Sequence, residues 1–255
     1  MKFRIVTLIS LLAFMGALLP NHAQGQKQQV IRFKTQVKPN SDERINLVMT
    51  PMPGEGGVKI EGAELITLPD GHNKAWKVTK NWITITGPVK QFDCNLSAID
   101  SITFENPESL QELIVETNKM SVLNLTGMKS LTYLGASATD IREINLTGCT
   151  SLKQIQCNGS KLVKINLTAA TNLERASLTL SSLSELTGLT KLKELDLNNN
   201  GISKIDLKDL PALESVVLSY NPIDAVSFSN CPKLEAISIK NKRQNSRLTS
   251  FTAVD

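Results

Sequence analysis

The stretch Leu192-Lys-Glu-Leu195-Asp-Leu197-Asn-Asn-Asn200-Gly-Ile202 decides the fold of this chain. Apolar and polar residues alternate from Leu195 to Leu197, which is the two-residue period of a strand with one buried face. Asn200 then interrupts the apolar pattern before Ile202 resumes it. We therefore expect a short strand followed by a bend whose main-chain groups the asparagine amide satisfies.

The same spacing recurs along most of the 255-residue chain. Successive copies start 21 residues apart, except that one copy spans only 19 residues. The copies start at Val89, Leu110, Leu131, Leu152, Leu173, Leu192, Leu213 and Leu234, and a polar insertion from Lys242 to Arg247 breaks the last of them. A fixed period of this length indicates a solenoid of stacked turns.

Each copy depends on its neighbours for stability. A copy buries about seven apolar side chains at roughly 2 kcal/mol each, whereas ordering its backbone costs ~1 to 2 kcal/mol per residue. The second half of a copy, as in Ile141-Arg-Glu-Ile144-Asn-Leu146, repeats the strand-like spacing. We expect a β-rich coil with one parallel sheet on one wall, a second short extended segment on the opposite wall, and little helix.

These segments match the leucine-rich-repeat signature L-x-x-L-x-L-x-x-N-x-L. The 21-residue form, with I-x-x-I-N-L or I-x-x-I-D-L in its second half, resembles that of secreted bacterial internalin-like proteins and covers roughly the last two thirds of the chain. The resemblance implies a right-handed coil and a role in adhesion or host contact. Because Thr139, Ser160 and Ser181 replace the asparagine, we expect an interrupted asparagine ladder but an intact coil.

Residues 24–88 lack the period and are predicted to form an N-terminal β-rich cap, with the solenoid spanning 89–255. Pro, Gly, Asn and Asp separate its short strand candidates. These candidates are centred on Val30–Phe33, Ile45–Met49, Val58–Ile60 and Trp82–Ile85. A non-repeating segment here covers the apolar end of the first turn.

The first 23 residues are predicted to be a secretory signal peptide. Lys2 and Arg4 precede an apolar run from Ile5 to Leu19, which is short for a membrane-spanning helix. We therefore expect an exported chain, secreted or held at the cell surface, with the periplasm as a further possibility, and no membrane span after cleavage. Cleavage lowers the net charge from +4 to +2, which is too weak to indicate nucleic-acid binding.

The four cysteines are predicted to be buried thiols rather than disulfides. Cys94 and Cys157 share one repeat position three turns apart, and Cys149 and Cys231 share another four turns apart. At ~4.8 Å per strand spacing these pairs lie roughly 14 and 19 Å apart, beyond the ~7 Å limit for a bridge. Cys149 and Cys157, adjacent in the stack, remain the alternative.

The sequence contains few residues that could support catalysis. After cleavage His72 is the only histidine, and it lies in the turn-like stretch Asp70-Gly71-His72-Asn73. No Gly-rich phosphate loop or metal-ligand spacing is present in the sequence. We expect a non-enzymatic protein without a cofactor or metal.

Binding is better supported, because a solenoid presents the outward residues of its sheet in regular columns. Tyrosine and arginine are frequent anchors of protein contacts. The candidate contact residues are Tyr133, Gln154, Gln156, Arg175, Glu194, Asp196 and Tyr220. The alternative interpretation is that these residues are only the solvated side of a sheet.

The first functional hypothesis is a secreted or surface protein that binds a protein ligand through the concave sheet face. A second is a structural spacer or a piece of a larger surface assembly. A third is an anionic-glycan binder that uses Lys242 and Arg243, which lie in the basic insertion.

Overall fold

The computed structural model describes most of the chain, and every regular element in the described part is a strand. The described residues are 28–54, 56–69, 74–162, 165–179, 189–240 and 250–254. The predicted signal peptide, His72, Ser181, Lys242 and Arg243 lie outside them.

Twenty-one short strands follow one another along these residues. They are β1 (Val30–Thr35), β2 (Arg44–Ile45), β3 (Val48–Pro51), β4 (Lys59–Glu61), β5 (Ala63–Thr67), β6 (Lys74–Val78), β7 (Trp82–Thr86), β8 (Val89–Asp93), β9 (Ile99–Glu105), β10 (Glu112–Ile114), β11 (Val122–Asn124), β12 (Tyr133–Gly135), β13 (Glu143–Asn145), β14 (Gln154–Gln156), β15 (Arg175–Ser177), β16 (Glu194–Asp196), β17 (Lys204–Lys208), β18 (Ser215–Val217), β19 (Ala225–Ser229), β20 (Ala236–Ser238) and β21 (Ser250–Val254).

The predicted parallel sheet is confirmed as a nine-stranded sheet, called the front sheet, in the order β20-β18-β16-β15-β14-β12-β10-β8-β3. The strands from β8 to β20 pair in parallel, with Leu134 opposite Ile155 and Ala176 opposite Leu195. These four side chains are at most 3% exposed. The recurring apolar positions therefore share one interior, as the period predicts.

The shortened copy keeps the register of the front sheet. Arg175 pairs with Glu194 only 19 residues later, and the next strand pairs again in line, with Glu194 opposite Ser215. The connection between β15 and β16 is therefore two residues shorter than in the other copies, and the front strands themselves are not shortened.

The opposite wall is strand-like in some turns only. β11 pairs with β13, and β17, β19 and β21 form a separate parallel sheet. In the turn between β14 and β15, the described residues 165–167 form no strand. The expected second extended segment is thus confirmed in six turns, counting β9 of the first repeat, which pairs with β1, but it is not seen in residues 165–167.

A left-handed bend accompanies the back-wall strands. The residues at this bend have positive φ angles and are Asn106, Gly127, Gly148, Asp209 and Asn230. Gly, Asn and Asp tolerate this conformation better than other residues. In the turn whose residues 165–167 form no strand, Ala169 lies at the bend and does not adopt a positive φ.

The residues before the repeats form two antiparallel sheets, β4-β7-β1-β9 and β2-β6-β5. β1 pairs with β9 of the first repeat, and β3 pairs antiparallel with β8 at the end of the front sheet. Phe33 packs against Phe92, with ring centroids 6.0 Å apart. The cap therefore continues the hydrophobic core of the coil and covers its first turn.

A buried asparagine ties successive turns together at the bend after the front strand. The Asn118 amide donates to the carbonyl of Cys94 in the preceding turn and to that of Val115 in its own turn, both at 3.0 Å. Its Oδ1 accepts from the Ile99 N–H at 2.9 Å. One side chain thus satisfies main-chain groups of two turns in an interior where an unpaired group is costly.

The same pair of donations recurs later in the coil. Asn200 donates to the carbonyls of Leu178 and Leu197, and Asn221 to those of Leu197 and Leu218. Each asparagine therefore joins its own turn to the preceding one.

Threonine and serine fill this position differently. Thr139 and Ser160 each donate to the carbonyl three residues earlier, in their own turn, at 2.9 Å. A hydroxyl carries a single hydrogen, so neither side chain donates to the turn before. The expected interruption of the ladder is confirmed, and the coil continues through it.

Replacing Asn118 by alanine is expected to destabilise the fold far more than the same change at Thr139. Asn118→Ala leaves main-chain groups of two turns unpaired, for a loss of about 3 kcal/mol, whereas Thr139→Ala costs about 1 kcal/mol. Urea titration followed by circular dichroism measures both free energies of unfolding. Equal losses in the two variants would contradict the bridging role of the asparagine.

Candidate functional site

The outward side chains of the front sheet form two columns, here called the front face. Strand pairing places them in register. The first column contains Gln91, Glu112, Tyr133, Gln154, Arg175, Glu194 and Ser215, and the second contains Asp93, Ile114, Gly135, Gln156, Ser177, Asp196 and Val217. Successive members of a column lie one strand spacing apart, about 4.8 Å.

A shallow depression of about 300 Å³ lies on the front face across β14, β15, β16 and β18. The structure brings five of the seven candidate contact residues together around it: Gln154, Gln156, Arg175, Glu194 and Asp196. Ser177, Ser215 and Val217 complete its outward lining. All of its outward lining side chains except Val217 are polar.

Tyr133 borders this depression. Its hydroxyl donates to Oε1 of Gln156 at 2.9 Å, across to the neighbouring strand. Gly135 makes room for this arrangement, because a Cβ there would lie 3.2 Å from the Tyr133 hydroxyl and 3.2 Å from Oε1 of Glu116. The tyrosine ring is therefore held across its own strand rather than projecting freely.

Arg175 and Glu194 form a salt bridge inside the depression, with Nε and Oε1 3.1 Å apart. Both side chains are about half exposed, at 53% and 52%. Exposed pairs of this kind contribute little to stability, typically under about 1 kcal/mol. The pair can open to a partner at small cost.

The end of the front face near the cap is acidic. Burial raises the pKa of Glu116, and the charge of Asp93 adds to the shift. Burial also raises the pKa of Tyr133, with smaller contributions from Glu116 and Glu112. The spacing of the repeats places Gly135 among the outward residues but indicates neither its role beside Tyr133 nor the presence of Glu116 at this site.

Tyr220 lies apart from the other candidates. It occupies the bend after β18 with a φ of 60°, and its side chain is 45% exposed. Four strand spacings, ~19 Å, separate its turn from that of Tyr133. The two tyrosines therefore do not form one patch, and Tyr220 stands at the rim of the front sheet.

The cysteines are thiols in the structure. All four are free, and Cys94, Cys149 and Cys157 are fully buried. Burial raises the pKa of each of these three thiols, to about 11 for Cys149. A thiol with a raised pKa is a poor nucleophile at neutral pH, so these residues pack as apolar side chains.

Other chemical sites are not evident in the described part of the chain. It contains no group of three or more His, Cys, Asp or Glu side chains placed to hold a metal ion. Nor does it contain a helix with the length and apolar character needed to cross a membrane.

The chain combines recurring parallel strands, buried asparagines at the bends and a 21-residue period. The fold is a leucine-rich-repeat solenoid. No protein-family model and no curated protein matches the sequence of this leucine-rich-repeat chain.

Solved structures show similarity to this solenoid. The functional domain of InlJ from Listeria monocytogenes is 15% identical with a TM-score of 0.44, covering 60% of this chain and 44% of that one. YopM from Yersinia enterocolitica is 20% identical with a TM-score of 0.40, covering 58% and 36%. An internalin C2 from Listeria monocytogenes is 19% identical with a TM-score of 0.35, covering 65% and 81%. The solenoid thus spans less than half the length of the first two.

Replacing Tyr220 by asparagine is expected to stabilise the solenoid by about 0.5 to 1 kcal/mol, because asparagine tolerates a left-handed backbone better than tyrosine. Asn199 already occupies the equivalent bend with a φ of 55°. Thermal unfolding of Tyr220→Asn measures the gain, and Tyr220→Phe, which keeps the strain, serves as the unchanged control. A loss of stability in Tyr220→Asn would show that the tyrosine ring, although exposed, supports the fold.

Proposed function

We propose that the front face binds another protein and that the chain is a non-enzymatic binding protein. The observation that carries this proposal is the depression across β14 to β18, in which Arg175, Glu194, Gln154 and Gln156 converge on a rigid sheet. Solenoids commonly present such extended sheet surfaces to their ligands.

The backbone under these residues is organised before any partner arrives. Arg175 and Glu194 sit on strands that are paired on both sides, and main-chain hydrogen bonds continue beyond the strand ends, as from the Leu178 N–H to the Asp196 carbonyl at 2.9 Å. A surface that loses little conformational freedom on binding retains more of its contact energy as affinity. This rigidity favours recognition over a purely solvated role.

The side chains around the depression suit a protein partner. Arginine and tyrosine are enriched among the residues that dominate interface energies, and Arg175 and Tyr133 lie on the two sides of Gln154 in one column. The exposed Arg175–Glu194 pair offers both a cation and an anion to complementary groups. Oppositely charged groups in this arrangement set the register of a partner more than its affinity.

We further propose that the chain acts outside the cytoplasm, as a secreted or surface protein in adhesion or host contact. The basic start and the following apolar run support export. The resemblance of the repeats to internalin-like sequences supports the adhesive role.

Arg175→Ala is expected to weaken binding of the protein partner about tenfold while leaving the free energy of unfolding nearly unchanged. Arg142→Ala is the matched control, because Arg142 is an exposed arginine beside β13 on the opposite wall. Surface plasmon resonance measures both affinities. Equal affinity in the two variants would favour the spacer hypothesis.

The partner is obtained by photocrosslinking. A benzophenone amino acid replaces Ser215 in the depression or, as control, the exposed Ser203 just before β17. The purified chain is then mixed with secreted and surface proteins from its natural surroundings. The proposal expects a defined adduct from position 215 that is absent from position 203; adducts from position 203 alone would place the interface on the opposite wall.

A further inference from the structure

The outer face of the cap sheet β4-β7-β1-β9 is open to solvent and is here called the cap face. Side chains alternate across it: Ile31 and Ile83 point into the core and are at most 1% exposed, whereas Arg32 and Trp82 on the same strands are exposed. A groove of about 580 Å³ runs over this face. It is lined by Arg32, Glu61, Lys80, Trp82, Thr84 and Thr103.

Trp82 offers an aromatic surface to this groove. Its side chain is 44% exposed, and it makes no ring contact or cation–π contact within the described residues. The chain's other tryptophan, Trp76, is partly buried, and its Nε1 donates to the Leu47 carbonyl at 2.9 Å. Trp76 thus has a structural role, whereas the indole of Trp82 is available to a ligand.

A row of polar side chains crosses all four strands beside Trp82. Pairing places Glu61 next to Thr84, Thr84 next to Arg32, and Arg32 next to Thr103. Hydroxyl groups both donate and accept hydrogen bonds, and a guanidinium donates in a planar fork. The row therefore matches a ligand that carries hydroxyls together with an anionic group.

Positive charge exceeds negative charge among the residues that line the groove. Glu61 is already paired with Lys59 at 2.7 Å. Arg32 and Lys80 form no salt bridge with any described residue. Lys80 also interacts electrostatically with Glu61. Because Arg32 and Lys80 outnumber the one carboxylate of the lining, the local field favours an anion.

Hydrogen bonds to Gly62 hold the main chain of the turn that carries Lys80. The main-chain N–H groups of Thr79 and Lys80 both donate to the Gly62 carbonyl, at 2.9 and 3.1 Å. Gly62 has a φ of 88°, and a Cβ there would lie 2.3 Å from the Trp82 carbonyl oxygen. These contacts fix the main chain of the turn from Thr79 to Trp82, and the side chains of Lys80 and Trp82 both line the groove.

We propose that the cap face binds an acidic oligosaccharide. The indole of Trp82 stacks on the C–H face of one sugar ring, and Arg32 with Lys80 takes the carboxylate or sulfate. Thr84, Thr103 and Glu61 meet the ring hydroxyls. A DNA strand fits this row less well, because its backbone offers phosphates but few free hydroxyls to Thr84 and Thr103.

The test uses the purified full chain with two probes, tetragalacturonic acid and a heparin-derived tetrasaccharide, and isothermal titration calorimetry together with tryptophan fluorescence. Binding of at least one probe is expected, with a fluorescence change and with weaker affinity at higher salt. Trp82→Thr and the double change Arg32→Gln with Lys80→Gln are each expected to lower the affinity about tenfold or more. Thermal unfolding verifies that these variants are folded.

Two control variants remove the same number of charges elsewhere. Arg142→Gln with Lys208→Gln changes exposed residues of the opposite wall, and Lys242→Gln with Arg243→Gln changes the basic insertion. Both controls are expected to keep the affinity of the original chain. A loss in the second control, with no loss in the Trp82 variant, would move the glycan site to the insertion and overturn the proposal.

Other outcomes also overturn it. These are no binding of either probe, equal binding of the uncharged maltotetraose, or tighter binding of an oligothymidylate than of the acidic probes. Because the cap face and the front face share none of their lining residues, Arg175→Ala is expected to leave glycan affinity unchanged. Absence of glycan binding would therefore leave the protein-binding proposal unaffected, and absence of protein binding would leave the glycan proposal unaffected.

Discussion

Each described bend after a front strand is buried, and the fold depends on how the polar groups of that bend are satisfied. Apolar burial alone sets the spacing of the interior residues, but it does not pair the carbonyls that follow each front strand. These carbonyls accept hydrogen bonds from three asparagine side chains, each of which donates to two turns: Asn118, Asn200 and Asn221. Thr139 and Ser160 satisfy their own turn, and there the main-chain pairing of the front sheet carries the stack.

The same constraint shapes the surface. Because the strands are held in register from both sides, their outward residues stand in columns whose members come from distant parts of the sequence. Arg175 meets Glu194 and Tyr133 meets Gln156 for this reason. The front face is thus a product of the interior, and its proposed role in binding follows from that rigidity. The cap face arises differently, from an antiparallel sheet whose inner side covers the first turn and whose outer side is left open.

The sequence predicts the periodic part of the structure well. The pairing of Leu134 with Ile155, and the register after the 19-residue copy, follow from counting apolar positions, because burial fixes which residue faces inward. Three features cannot be predicted by counting apolar positions. The antiparallel pairing of β3 with β8 involves residues of β3 that have no period, and residues 165–167 form no strand although Ile165 and Leu167 keep the spacing of the other copies. The nearness of Glu116 to Tyr133 depends on the absent side chain at Gly135, which a column of outward residues does not show until the side chains are placed.

The central claim is that turns stack in register at one strand spacing each, and pulsed electron–electron resonance between spin labels tests it most directly. Labels on Gln91→Cys and Arg175→Cys span four spacings of the front sheet, ~19 Å, and labels on Gln91→Cys and Ser215→Cys span six, ~29 Å. Cys231, the one cysteine that is not fully buried, is replaced by serine in both. The account predicts two narrow distributions that differ by ~10 Å, the width of two strand spacings. Broad distributions, or equal distances in the two pairs, would contradict it.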